Sequence, residues 1–78
     1  MITQQSVDEL KSILNTVREA AEQDELGQEI CAVGISHLNA MIYSLRSKTP
    51  LSSGEQRQLE VIIDDFKEIV DEYLAEMV

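Results

Sequence analysis

Cys31, Ser36 and His37 are the side chains of this sequence that could supply a nucleophile, a base or a soft metal ligand. Nucleophilic catalysis and metal binding both need side chains that converge on one point. Neighbouring residues of a helix point about 100° apart, so Ser36 and His37 diverge, and Cys31 lies on a different face from His37. The spacing therefore predicts a buried cysteine, a surface histidine and a protein that is not an enzyme, with no cofactor and no metal.

Carboxylates recur every four residues in the closing stretch EVIIDDFKEIVDEYLAEMV, residues 60–78. A step of four rises about 6 Å along a helix, close to the phosphate spacing of a nucleic-acid strand, which suggests a nucleic-acid mimic. Each step also turns by about 40°, so only the middle acids share one patch: Asp64, Asp65, Glu68, Asp71 and Glu72. We expect this patch to bind a basic surface of a partner protein, or else to be a solvated face that keeps a small protein in solution.

The formal net charge of −9 and a pI near 4.3 restrict the class of partner. Such an acidic chain has no basic patch to displace counterions from phosphate, which argues against direct nucleic-acid binding, and it is repelled by anionic membranes. No apolar run approaches the roughly 18 residues that span a bilayer, and the opening residues MITQQSVDEL do not resemble a signal peptide. With its single cysteine, the sequence predicts a cytoplasmic protein in a reducing compartment.

Two capping boxes and one proline divide the chain into helices. Ser6 with Glu9, and Ser52 with Glu55, have the spacing at which a hydroxyl and a carboxylate exchange hydrogen bonds with the backbone of a helix N-terminus. Pro50 cannot continue the helix before it. The predicted helices are 6–23, 26–48 and 53–77, with a turn or a kink between residues 23 and 27.

The apolar pattern predicts how these helices pack. The second helix is apolar over more than half its circumference, so we expect it to be central and buried on more than one side, with Gly34 at a close helix crossing. The third helix has one predicted buried stripe: Leu59, Ile62, Ile63, Phe66, Ile69, Val70, Tyr73, Leu74 and Met77. The prediction is one all-α domain, residues 1–78, folded as three antiparallel helices in an up-down-up bundle, or as a helical hairpin completed by dimerisation.

More apolar surface is present than three helices are expected to bury. Tyr73, Leu74 and Met77, at the end of the third helix, are therefore candidate anchors for a partner or for a second copy, and a homodimer is expected.

The stretch VGISHLNAMIYSL carries one resemblance to a known family. Gly34 and Ser36 precede apolar helical residues, which is similar to the Gly-x-Asp-Ser-Leu signature of the acyl and peptidyl carrier proteins. The resemblance implies a pantetheine attached to Ser36 at the start of a helix. The signature's Asp is absent, His37 stands where Leu is expected, and the apolar periodicity begins well before Ser36, which predicts that Ser36 lies inside the helix.

These patterns favour a non-enzymatic, acidic helical protein that binds and inhibits or modulates a partner protein. Small proteins of this type include phage and mobile-element regulators, such as antiactivators and anti-CRISPR inhibitors of nucleic-acid-binding host proteins. The alternatives are an atypical carrier protein, with Ser36 as attachment site, and a structural or chaperone subunit of a larger assembly.

Overall fold

The computed structural model describes residues 2–49 and 51–76. They form a bundle of three α-helices, α1 (Gln4–Ala20), α2 (Glu25–Arg46) and α3 (Ser53–Glu76), and none of these residues belongs to a β-strand. The predicted all-helical fold with three helices is confirmed. No helix within the described part of the chain is long and apolar enough to cross a membrane.

The first helix begins earlier than the sequence indicates, and its cap is Thr3. The Thr3 hydroxyl accepts from the Ser6 backbone N–H at 3.2 Å, and the Ser6 hydroxyl accepts from the Thr3 N–H at 3.4 Å. The prediction that Ser6 caps this helix with Glu9 is therefore wrong. Threonine caps nearly as well as serine, and two glutamines, which are good helix formers, extend α1 back to Thr3.

The chain breaks cleanly between α1 and α2. Asp24 caps α2, where its carboxylate accepts from the Gly27 N–H at 3.3 Å, so α1 and α2 are two helices and Gly27 lies in the first turn of α2. The capping box predicted before α3 is confirmed. The Ser52 N–H donates to the Glu55 carboxylate, and the Glu55 N–H donates to the Ser52 hydroxyl, each at 3.2 Å.

All three helices contribute to one apolar core. Its buried members are Ile2, Val7, Leu10, Leu14, Val17, Ala21, Ile30, Met41, Leu59, Ile63, Phe66, Val70 and Tyr73. Gly34 lies between Leu14 of α1 and Phe66 of α3, and a Cβ added there would overlap both side chains. The close crossing expected at Gly34 is therefore present.

The central helix is less covered than its composition predicts. Three of its five buried residues are small, namely Gly27, Gly34 and Ser44, and the other two are Ile30 and Met41. Five larger apolar residues of α2 flank this buried line and are exposed, as are three on α3: Leu26, Val33, Ile35, Tyr43, Leu45, Val61, Ile62 and Ile69. The expectations that α2 is buried on more than one side, and that Ile62 and Ile69 belong to the core, are wrong, because two neighbouring helices cover only one side of α2.

Candidate functional site

The five acids singled out in the sequence lie on one exposed side of α3, which we call the acidic face: Asp64, Asp65, Glu68, Asp71 and Glu72. The side of α3 that packs into the core carries Leu59, Ile63, Phe66, Val70 and Tyr73. On a helical projection the two sets are centred about 180° apart, so the acids lie as far from the core as α3 allows. Every one of the five is exposed to solvent.

The one lysine of α3 is turned toward α1. The Lys67 Nζ lies 3.7 Å from the Glu9 carboxylate, and both side chains are substantially exposed. An exposed ion pair of this length contributes little stability. Its position places the Lys67 cation beside α1 and away from the acidic face. The other basic residue of α3, Arg57, is exposed about two turns before Asp64.

Tyr73 is held inside the protein and is not a free anchor for a partner. Its ring is buried over Gly27, and its hydroxyl donates a 2.5 Å hydrogen bond to the Asp24 carboxylate. That hydrogen bond, with burial adding to it, raises the pKa of Tyr73 to about 12. The contact ties the last part of α3 to the turn between α1 and α2, so the prediction that Tyr73 is a partner anchor is corrected.

The other two predicted apolar anchors contribute little surface. Leu74 is half-buried and packs against the core, and Met77 lies outside the described residues. The exposed apolar side chains lie earlier in α3 and on α2.

An apolar groove lies between α2 and α3. The sequence predicted surplus apolar surface on these two helices but not the residues that form this groove. Its lining is Leu26, Ile30 and Val33 from α2 and Phe66 and Ile69 from α3, with Glu29 at its edge. Leu26 is 55% exposed, Val33 48% and Ile69 52%. On α3, Ile62 lies two turns before Ile69 and is 45% exposed, so the row of exposed apolar side chains continues along the same side of that helix.

The sequence did contain a signal for this groove. Leu26 and Val33 each stand immediately before a glycine, Gly27 and Gly34, and both glycines are buried against neighbouring helices. A residue one position from the buried line is turned about 100° away from it. Leucine and valine at those positions therefore lie at the border of the packed surface and not within it.

A second cleft lies between α1 and α2. It has a volume of about 580 Å³, and its apolar lining is Ala21, Cys31, Ala32 and Ile35. Its rim carries Arg18, Glu19 and Glu22, so charges of both signs border it. Cys31 is half-buried there and is a free thiol.

The three side chains that could take part in catalysis or metal binding, Cys31, Ser36 and His37, do not converge on one point. Cys31 faces the cleft beside α1, whereas the His37 ring makes an edge-to-face contact with Phe66 of α3, at 5.5 Å between centroids and 79° between planes. Ser36 is exposed inside α2, and this position does not favour the carrier resemblance, which implies a serine at a helix start. Across residues 2–49 and 51–76, no three His, Cys, Asp or Glu side chains are grouped closely enough to hold a metal ion.

Comparison with known proteins found no protein-family model, no curated protein and no solved structure that matches this chain.

Proposed function

We propose that this chain is a non-enzymatic binding protein whose acidic face docks on a basic surface of a partner protein and thereby inhibits or modulates it. The observation that carries the proposal is that five exposed carboxylates cluster on the solvent side of α3 over residues 64–72. The one basic residue in that range, Lys67, is turned toward Glu9, and the exposed Arg57 lies about two turns before the cluster. Like charges at i,i+4 positions destabilise a helix by about 0.2–0.5 kcal/mol per pair. A basic partner would relieve that repulsion and would be steered toward this face.

The spacing of these acids favours a partner that normally binds nucleic acid. Carboxylates one helical turn apart are about 6 Å apart along the axis, so the face offers a row of negative charge to a phosphate-binding groove. By analogy of type, this is how a cytoplasmic phage or mobile-element regulator, such as an antiactivator or an anti-CRISPR protein, would block a host protein.

We also propose that the three helices are antiparallel and follow an up-down-up order. The contacts of Gly27 with Tyr73 and of Gly34 with Phe66 support an antiparallel arrangement of α2 and α3, and the short connection of α1 to α2 supports an up-down-up order. A homodimer would have to use the same exposed apolar residues as a partner, and the experiments below separate the two.

Affinity capture with matched charge variants tests the proposal. Asp64→Asn, Glu68→Gln and Asp71→Asn together remove three charges from the acidic face, and a control removes three exposed charges elsewhere: Asp8→Asn, Glu19→Gln and Glu22→Gln. We expect the unaltered protein and the control to capture the same basic, nucleic-acid-binding protein from a host lysate, and the face variant to lose it. Added nucleic acid should release the captured protein.

Two results would contradict the proposal. Equal capture by all three proteins would make the acids a solvated face, and equal loss in both variants would make net charge, not the face, the determinant. Mass spectrometry of the material that the unaltered protein captures identifies the partner.

A further inference from the structure

Resting on the proposed function, we infer that the apolar groove between α2 and α3 receives a helix of the partner, namely an amphipathic helix whose apolar stripe is flanked by lysine and arginine. The acidic face alone would accept any basic surface. The groove adds a requirement for a particular shape and for helical periodicity.

The apolar half of this inference comes from spacing and exposure. Leu26 and Val33 on α2, like Ile62 and Ile69 on α3, are seven residues apart and each about half exposed. Seven residues are two helical turns, or about 10 Å, and apolar side chains that repeat with this period on two neighbouring helices form a seam for a third helix. An incoming helix would place its own apolar side chains, spaced by three, four and seven residues, between them.

The charge of the occupant follows from the groove's borders. Glu25 and Glu29 lie along the α2 side, and Asp65 and Glu72, which belong to the acidic face, lie along the α3 side. The sequence has no lysine or arginine between residues 19 and 45, and the Lys67 side chain is paired with Glu9 beside α1. A strip of apolar side chains between two acidic borders is complementary to an apolar stripe between basic borders.

The same borders argue against a second copy of this chain as the occupant. Two copies that meet through the groove would bring Glu29, Asp65 and Glu72 of each against the acids of the other, in a molecule whose net charge is already −9. Like charges face to face at an interface are strongly unfavourable. The cleft between α1 and α2 does not favour an occupant of either charge, because Arg18 and Glu19 both border it.

Synthetic peptides test the inference on the full chain. The probe is a labelled peptide of about 16 residues in which leucines at helical spacing form one stripe and lysines fill the other positions. A scrambled peptide of the same composition, without the stripe, and a peptide with Glu in place of every Lys serve as references. Fluorescence anisotropy should give a Kd for the striped basic peptide that is lower than that of either reference by about tenfold or more.

Substitutions locate the site of binding. Val33→Asp and Ile69→Asp, each in the groove, should weaken the striped basic peptide by about tenfold or more. Ile35→Asp is the matched control, because Ile35 is 45% exposed and lies on the other side of α2, in the cleft beside α1. It should leave the Kd unchanged, and circular dichroism of all three variants checks that they are folded.

The other outcomes separate this inference from the proposed function. If both basic peptides bind equally, are insensitive to Val33→Asp and Ile69→Asp, and are lost with the three-acid face variant, the acidic face stands and the groove proposal is overturned. If no basic peptide binds, the groove proposal is overturned, and the capture experiment decides on the acidic face. If sedimentation shows a dimer of the free protein that Ile69→Asp dissociates, the groove belongs to a second copy and the inference is wrong.

Discussion

At the scale of single residues, two glycines decide how α2 packs. A Cβ on Gly27 would overlap Ala21 and Tyr73, and a Cβ on Gly34 would overlap Leu14 and Phe66. Glycine costs a helix interior about 1 kcal/mol relative to alanine. Close approach of the neighbouring side chains offsets that cost, and it turns the bulkier residues beside the glycines outward.

Gly34→Ala should lower the free energy of unfolding by up to about 2 kcal/mol, since overpacking a core costs roughly 1–3 kcal/mol and the gain in helix propensity returns about 1 kcal/mol of it. Chemical denaturation, followed by circular dichroism, measures the change.

Gly54→Ala is the control for this prediction. Gly54 also lies in a helix, but nothing is within 4 Å of a Cβ added there, so the substitution should be neutral or stabilising by up to about 1 kcal/mol. A Gly34→Ala protein as stable as Gly54→Ala would show that the crossing of α2 with α1 and α3 is looser than described.

At the scale of the helices, caps fix where each one begins. α1 begins after Thr3, α2 after Asp24 and α3 after Ser52, and in each case a side-chain oxygen accepts a backbone N–H of the first turn. At α3 the bond is reciprocal. The Ser52 backbone N–H donates to the Glu55 carboxylate, and this bond, with a further contribution from the Ser52 side chain, lowers the pKa of Glu55.

The capping box before α3 should therefore stabilise the protein in a pH-dependent way. Because the folded-state pKa of Glu55 lies below its ordinary value of 4.5, its contribution is complete above that pH and is lost as the pH falls through the folded-state pKa. Thermal unfolding of the unaltered protein and of Glu55→Gln should show a difference in Tm at about pH 7 that shrinks toward about pH 3.

Ser52→Ala removes the other half of the box. It should cost about 1 kcal/mol, and most of this loss should remain at acidic pH, because the Ser52 hydroxyl that accepts the Glu55 backbone N–H does not titrate. A difference between the unaltered protein and Glu55→Gln that stays constant from neutral to acidic pH would contradict the role of the carboxylate.

At the scale of the whole molecule, charge and apolar surface are distributed unevenly. Asp65 and Glu72 of α3 and Glu25 and Glu29 of α2 border one groove. The basic residues lie elsewhere: Lys11 and Arg18 on α1, Arg46 and Lys48 at the end of α2 and just after it, and Arg57 and Lys67 on α3. The protein carries its self-repulsion mainly on α3, where Asp64, Glu68 and Glu72 are spaced at i,i+4.

Salt should stabilise the free protein. Raising sodium chloride from about 0.01 M to about 0.15 M shortens the screening length from roughly 30 Å to roughly 8 Å, which weakens this repulsion and should raise Tm. The three-acid face variant should respond less than the control variant of equal net charge, in which Asp8, Glu19 and Glu22 are neutralised. Equal responses would mean that net charge, and not the clustering on α3, sets the salt dependence.

Helical period and capping chemistry are local, and the sequence by itself therefore determined the three helices, the capping box of α3 and the grouping of Asp64 with Glu68 and Glu72. The start of α1 was missed because Thr3 and Ser6 are both competent caps. The local pattern does not say which of the two the chain uses.

Only the tertiary structure decided which apolar residues are covered. A helical projection gives the side on which Val33 or Ile69 lies, but the width of the stripe that becomes buried depends on how many helices pack against it and how closely they approach. The small residues of α2 let α1 and α3 approach closely along a narrow line, which left Val33, Ile62 and Ile69 exposed. For the same reason Tyr73, which the sequence placed both in the buried stripe of the third helix and among the partner anchors, is buried over Gly27 with its hydroxyl on Asp24.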